Sequence, residues 1–189
     1  MPATDALVRE IAAANRILAH FGVVDAYGHI SHRDPTNPNR FLLSRSKSPE
    51  LVEPEDIMTF NLDGSIADGR KDKPYLERFI HAGIYEANPE IMSVVHSHAL
   101  EVLPFSISKV PLVPVIHTAS HCGAHMPVWD IADVFGDTGL LVTNLEQGRD
   151  LAKTLARNRI ALMRGHGFAA AGRTIGEEAR QEAIRGRNL

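Results

Sequence analysis

A single cysteine, Cys122, stands in this chain, so no internal disulfide framework can form and a reducing compartment fits best. No apolar run approaches the ~20 residues of a membrane span. An excess of one charge is missing as well. The formal net charge is −3 over 189 residues, with acids and bases intermixed, which argues against nucleic acid and against an acidic membrane surface as main partners. The N-terminal "MPATDALVRE" lacks the basic-then-apolar layout of a signal peptide, and the expected location is the cytoplasm. Internal repeats, low-complexity tracts and linker-like stretches are also lacking, so a single domain over residues 1–189 is expected.

What is present is an apolar fraction of 44%, enough for a sizeable core, and ten histidines, several of them close together. Residues 5–21 place Leu7, Ile11, Leu18 and Phe21 on one helical face, with Thr4 as cap and Gly22 as stop. Segments 28–33, 40–44 and 56–64 read as strands separated by turn signals. Residues 74–86 read as a helix with Pro74 and Glu77 in its first turn and Leu76, Phe79, Ile80, Gly83 and Ile84 on one face. The stretch "IMSVVHSHALEV" (91–102) reads as a strand, as do 110–118 and 138–144. Residues 146–158 read as a polar-faced helix, 159–172 as a buried strand running into a glycine-punctuated turn, and 174–188 as a last helix with a Thr174–Glu177 capping box. Connections too short for helical crossovers suggest a largely antiparallel or mixed sheet covered by helices.

The chemistry centres on His96 and His98. Residues two apart in a strand point to the same side, about 7 Å apart at their Cα atoms, so both imidazoles can reach one ion. Two solvent-facing residues at a strand end would give the same spacing. His166, between two glycines after the apolar run 160–163, stands where backbone can approach a ligand closely, or is a plain turn residue. Glu77 suits the helix dipole in any case. Together, three neutral imidazoles and one carboxylate make a site for zinc, manganese, iron or cobalt, with room for substrate oxygens on a Lewis acid. His81 falls one helical turn after Glu77 and can pair with it. His125 reads as a surface residue, His117 and His121 stay open, and Cys122 reads as a buried structural thiol.

In this order, Glu77, His96-x-His98 and His166-Gly167 resemble the class II aldolase/adducin family over nearly the whole chain. The resemblance implies a three-layer α/β/α sandwich around a mostly antiparallel central sheet. It implies a homotetramer with sites near subunit interfaces. It further implies one divalent metal per subunit on His96, His98 and His166, with Glu77 as catalytic acid/base and additional ligand. Family members generally continue into a tail that helps close a neighbouring site, and a proton donor from such a tail is left unassigned.

Phosphosugar aldolases of the family hold phosphate on a G-N-x-S loop, a T/S-G turn and two serines before the glutamate. Here the three read Gly28-His29-Ile30-Ser31, Ser44-Arg45-Ser46 and Tyr75-Leu76-Glu77. Several small hydrogen-bond donors are thus replaced, and Arg45 offers a planar fork suited to a carboxylate. With "FLLSRSKSPELV", "PYLERFIH" and "LMRGHG", the pattern is similar to the branch containing decarboxylases of hydroxylated aromatic or pyridine carboxylates. His29, Ser31, Ser44, Arg45 and Tyr75 are the expected substrate-binding residues for a small-molecule carboxylate. The competing readings are an aldolase or epimerase on a sugar-like substrate and a non-catalytic adducin-like interaction domain. A cupin, suggested by "HSHALE", conflicts with the helical segments.

Overall fold

A computed structural model describes residues 3–124 and 126–175. The expected last helix and its Glu177 cap therefore lie almost wholly outside the described residues, and so does His125. Helix α1 (Ala3–His20) leads into strands β1 (His29–Arg33), β2 (Arg40–Ser44) and β3 (Ile57–Asn61). Helix α2 (Arg78–Ala87), strand β4 (Ser93–Ser97), the short helix α3 (Leu103–Ile107), strand β5 (Val128–Trp129) and the single-turn helix α4 (Ala132–Phe135) follow. Helix α5 (Leu145–Leu155) precedes strands β6 (Ile160–Met163) and β7 (Gly167–Gly172).

The strands form one sheet in the order β3-β2-β1-β4-β7-β6-β5. Every pairing is antiparallel except β5 with β6, so the sheet is mixed and mostly antiparallel, as expected. Alternation along the strands divides the apolar side chains between two faces. Ile30, Leu42, Val95 and Phe168 pack with Leu7, Ile11 and Leu18 of α1. Phe41, Leu43, Val94 and Ala169 pack with Ile80 and Ile84 of α2 and with Leu151 and Leu155 of α5. Helices therefore cover both faces, which gives the three-layer sandwich. Against the second face, α2 and α5 touch backbone to backbone. A Cβ on Gly83 would stand 2.3 Å from the Gly148 carbonyl carbon, and one on Gly148 would stand 2.0 Å from the Phe79 oxygen. Among the described residues no helix is long and apolar enough to cross a membrane.

Several sequence expectations need correction. The second helix starts at Arg78, with Glu77 as its N-cap residue. Residues 73–75 are held extended instead, by an Arg45–Pro74 bridge and a Ser46 N–H to Lys73 carbonyl bond. Leu76 is 57% exposed and leaves the apolar face. Strand β4 ends at Ser97, so 98–102 is not strand. Residues 110–118 form no strand: Pro111 and Pro114 cannot donate to a ladder, and Val110, Val113 and Val115 are exposed. Residues 138–144 are a loop whose backbone bonds to side chains of the site rather than to a neighbouring strand. Finally, 160–172 is a hairpin, with the second strand where the sequence suggested a turn. Gly165, at φ 64°, supplies the left-handed residue of its tight turn.

Candidate metal centre

The antiparallel register brings the chemistry to one end of the sheet. His96 sits in the central strand β4, opposite His29 of β1 and Ala169 of β7. His98 lies one residue past that strand, and His166 occupies the β6–β7 turn. Gly167 lets this turn approach closely: a Cβ there would meet the Ser97 oxygen at 2.0 Å. Glu77, at the start of α2, comes in from the helical layer and is 7% exposed.

One ligand atom from each of Glu77, His96, His98 and His166 falls within 4.8 Å of every other. The Nε2 atoms of His96 and His98 are 3.0 Å apart, and those of His98 and His166 are 3.1 Å apart. Glu77 Oε2 lies 3.3, 3.7 and 3.5 Å from the Nε2 atoms of His96, His98 and His166. Donors bonded at about 2.1 Å to one tetrahedral ion would stand about 3.4 Å apart, so the spacing fits a single divalent metal.

The opposite nitrogens explain why these atoms point inward. His96 Nδ1 lies 3.0 Å from the Phe168 carbonyl, and His166 Nδ1 lies 3.0 Å from the Leu140 carbonyl. His98 Nδ1 lies 3.1 and 3.2 Å from the two oxygens of Asp25. Carbonyls and carboxylates only accept, so each neutral ring carries its proton on Nδ1 and turns an Nε2 lone pair to the centre. Three lone pairs and a carboxylate oxygen converge, an arrangement suited to a cation. Burial alone would raise the Glu77 pKa, but the surrounding imidazoles of His166, His96 and His98 hold its carboxyl far below the usual range. Burial lowers the pKa of His96. For His98 burial acts in the same direction, but Glu77 and Asp25 outweigh it and raise the pKa. The other Glu77 oxygen, Oε1, accepts the Val142 N–H at 3.0 Å.

Beside the cluster, the His29 ring packs on Tyr75 at 4.2 Å and faces His96 at 5.4 Å between centroids. The Tyr75 hydroxyl donates to the Lys47 carbonyl. Ser44 is fully buried, and its Oγ has no hydrogen-bond partner among the described residues. The other two expected substrate residues are otherwise engaged. Ser31 Oγ lies 2.6 Å from His81 Nδ1 and 2.7 Å from the Tyr85 hydroxyl, so it does not face the cluster. Arg45 donates from Nε to Asp56 at 2.7 Å, alongside Lys47 at 2.6 Å. His81 bonds to His29 and Ser31 rather than to Glu77. Cys122 is buried in the core on the α1 face, as expected.

Two contributors escaped the sequence reading. Asp25 accepts from the Tyr27 and Gly28 N–H groups and from His98. An aspartate three residues before a glycine is a turn signal, but nothing local shows the third bond. The 138–144 loop acts through backbone atoms alone, which no residue type announces. A cleft of about 850 Å³ lies at the opposite end of the sheet, between the ends of α2, α5 and β7, away from these four side chains.

The class II aldolase and adducin N-terminal domain model matches residues 9–184, and the chain belongs to that family. It is 37% identical over 183 residues to decarboxylase tropJ of Talaromyces stipitatus, covering 90% of this chain and 69% of that protein. It is 30% identical over 194 residues to 3,4-dihydroxyphthalate decarboxylase of Arthrobacter keyseri, covering 97% of this chain and 76% of that one. The fold is shared with an aldolase II superfamily protein from Pseudomonas syringae, with a TM-score of 0.81 at 21% identity, over 98% of this chain and 73% of that one.

Proposed function

We propose that this chain is a divalent-metal-dependent lyase that decarboxylates a hydroxylated aromatic or pyridine carboxylate. One observation carries the reading: His96, His98 and His166 each turn Nδ1 to an oxygen that can only accept, and their three Nε2 atoms gather on the Glu77 carboxylate. The decarboxylase relatives support the reaction class, and the altered phosphate loops favour an aromatic acid over a sugar phosphate.

In this reading the three histidines would hold the ion, and Glu77 would complete the site through Oε2 until substrate binds. A divalent ion there supplies a Lewis acid that polarises a ring hydroxyl or carboxylate oxygen. Val142 pins Glu77 Oε1, so Oε2 is the oxygen that faces the three Nε2 atoms and becomes free to carry a proton once substrate oxygens displace it. Oε2 takes the proton of the ring hydroxyl on binding. As the carbon–carbon bond breaks, its electrons stay on the ring carbon, carbon dioxide leaves, and Oε2 returns the proton to that carbon. His29 and Ser44 offer hydrogen bonds to the substrate's oxygens, and Tyr75 forms an aromatic wall. Arg45 contributes through the N–H groups that Asp56 does not occupy.

The test strips the protein with a chelator and reloads it separately with zinc, manganese, cobalt and iron. Carbon dioxide release is then measured on hydroxyaryl and hydroxypyridine carboxylates, with cleavage of sugar phosphates in parallel. Metal-dependent release from an aromatic acid supports the reading; cleavage of sugar phosphates alone overturns it. Native mass spectrometry of the same samples tests the homotetramer expected from the resemblance.

A further inference from the structure

A buried chain of polar groups runs inward from the centre. His29 Nδ1 lies 2.7 Å from His81 Nε2. His81 Nδ1 lies 2.6 Å from Ser31 Oγ, which lies 2.7 Å from the Tyr85 hydroxyl. All four residues are at most 1% exposed. Neutral imidazoles carry one proton each, and a buried hydroxyl proton without an acceptor is costly, so only two polarisations leave every proton of the chain bonded. Either every proton points toward His29, or every proton points away from it.

The donor strengths decide between them. A phenol is a better donor and a poorer acceptor than an aliphatic alcohol, so Tyr85 donates to Ser31. The Ser31 hydroxyl proton then goes to its other partner, His81 Nδ1. His81 must carry its own proton on Nε2 and donate it to His29 Nδ1. His29 is left with its proton on Nε2, a nitrogen with no hydrogen-bond partner among the described residues. Burial pushes the His81 pKa down to about 3, so its neutral form is the relevant one.

We propose that Tyr85, Ser31 and His81 act as positioning residues that fix the tautomer of His29, so that His29 presents an Nε2–H donor to an anionic oxygen of the substrate. The substrate class rests on the function proposed above; the tautomer does not. The arrangement also explains a polar residue in strand β1 that never meets the substrate. Ser31 acts on it through three successive hydrogen bonds, by way of His81 and His29.

The test is long-range ¹H–¹⁵N NMR on ¹⁵N-histidine-labelled protein, with and without zinc, with His29 assigned by its loss in His29→Gln. In the wild type His29 should be protonated on Nε2 alone. Ser31→Ala breaks the chain, so both tautomers of His29 should appear. The Kd for the probe 2,3-dihydroxybenzoate should then rise about tenfold, as for loss of one hydrogen bond to a charged group, with zinc content unchanged. Ser31→Thr, which keeps the hydroxyl, should restore both. If Ser31→Ala does not fold, His81→Phe removes the donor to His29 Nδ1 with an aromatic ring retained and makes the same comparison. A wild-type His29 protonated on Nδ1 overturns the proposal, as does an unchanged tautomer in the broken-chain variant. Failure of every aromatic acid to bind would instead remove the proposed function and leave the tautomer result to stand by itself.

Discussion

Asp25→Asn isolates how the centre is oriented. Asp25 Oδ1 accepts three N–H groups, from Tyr27 at 3.0 Å, Gly28 at 2.8 Å and His98 Nδ1 at 3.1 Å, while Oδ2 stands 3.2 Å from the same Nδ1. Asparagine can keep its oxygen in the Oδ1 position and so retain the turn. Its NH₂ group then replaces Oδ2 and faces the His98 N–H, donor against donor, and the negative charge is gone. The turn bonds survive, so the melting temperature of the metal-free protein should change little. What is lost is the charge-assisted bond that commits the His98 proton to Nδ1. Loss of such a partner typically costs 10- to 100-fold in metal affinity, about 1.4–2.7 kcal/mol. The retained oxygen puts the expectation at the low end, about tenfold. Competition of the metal-loaded protein against a chelator of known affinity reads this directly. Unchanged affinity in a folded variant would refute the idea that Asp25 sets the orientation of His98.

Three further outcomes are expected. His96→Ala or His98→Ala should abolish tight metal binding and leave the fold largely intact; elemental analysis and circular dichroism test this, and tight metal retained in both variants removes them from the ligand set. Burial works against the Asp56 carboxylate, but bonds from Lys47, the Glu53 N–H and Arg45 hold its pKa down to about 2 from 3.8. That stability, about 2 kcal/mol, is present above pH ~4 and lost as the pH falls toward 2, so the urea midpoint should drop over that range in the wild type and less in Asp56→Asn. Gly148→Ala would place a Cβ 2.0 Å from the Phe79 oxygen and push α2 from α5 at a cost of about 1–3 kcal/mol. At about 2–4 °C per kcal/mol for a domain of this size, calorimetry should record a loss of several degrees, and metal affinity should fall because Glu77 begins the displaced helix.

The parts of the fold that the sequence displays are those governed by local pattern. Helix α1 and strands β1 and β2 are legible because their apolar residues repeat at 3.6 or alternate between the two faces of the sheet. The sequence places the α2 boundary too early because Pro74 suits a helix start in isolation, while its pairing partner Arg45, just past β2, lies 29 residues earlier. Segments 110–118 and 138–144 have strand composition, but prolines block the first and the second spends its backbone on the site. Glu77, His96, His98 and His166 were identified through ordered motifs, and the folded chain gathers all four. Ser31 is expected at the substrate on residue type alone; it shares the sheet face of His29 but stands opposite Val94, farther from the centre, where its hydroxyl meets His81 and Tyr85 on α2.

The loop beside the centre carries one more consequence. Surface loops usually accept extra residues at little cost. Here the Leu140 carbonyl faces His166 and the Val142 amide faces Glu77, only two positions apart. The spacing works like a ruler with two marks. One residue inserted between them would turn the amide away from Glu77 while the carbonyl still held His166. Variation in length should therefore be tolerated on either side of 140–142 and resisted within it, a pattern that deletion and insertion scanning can read without any knowledge of the substrate.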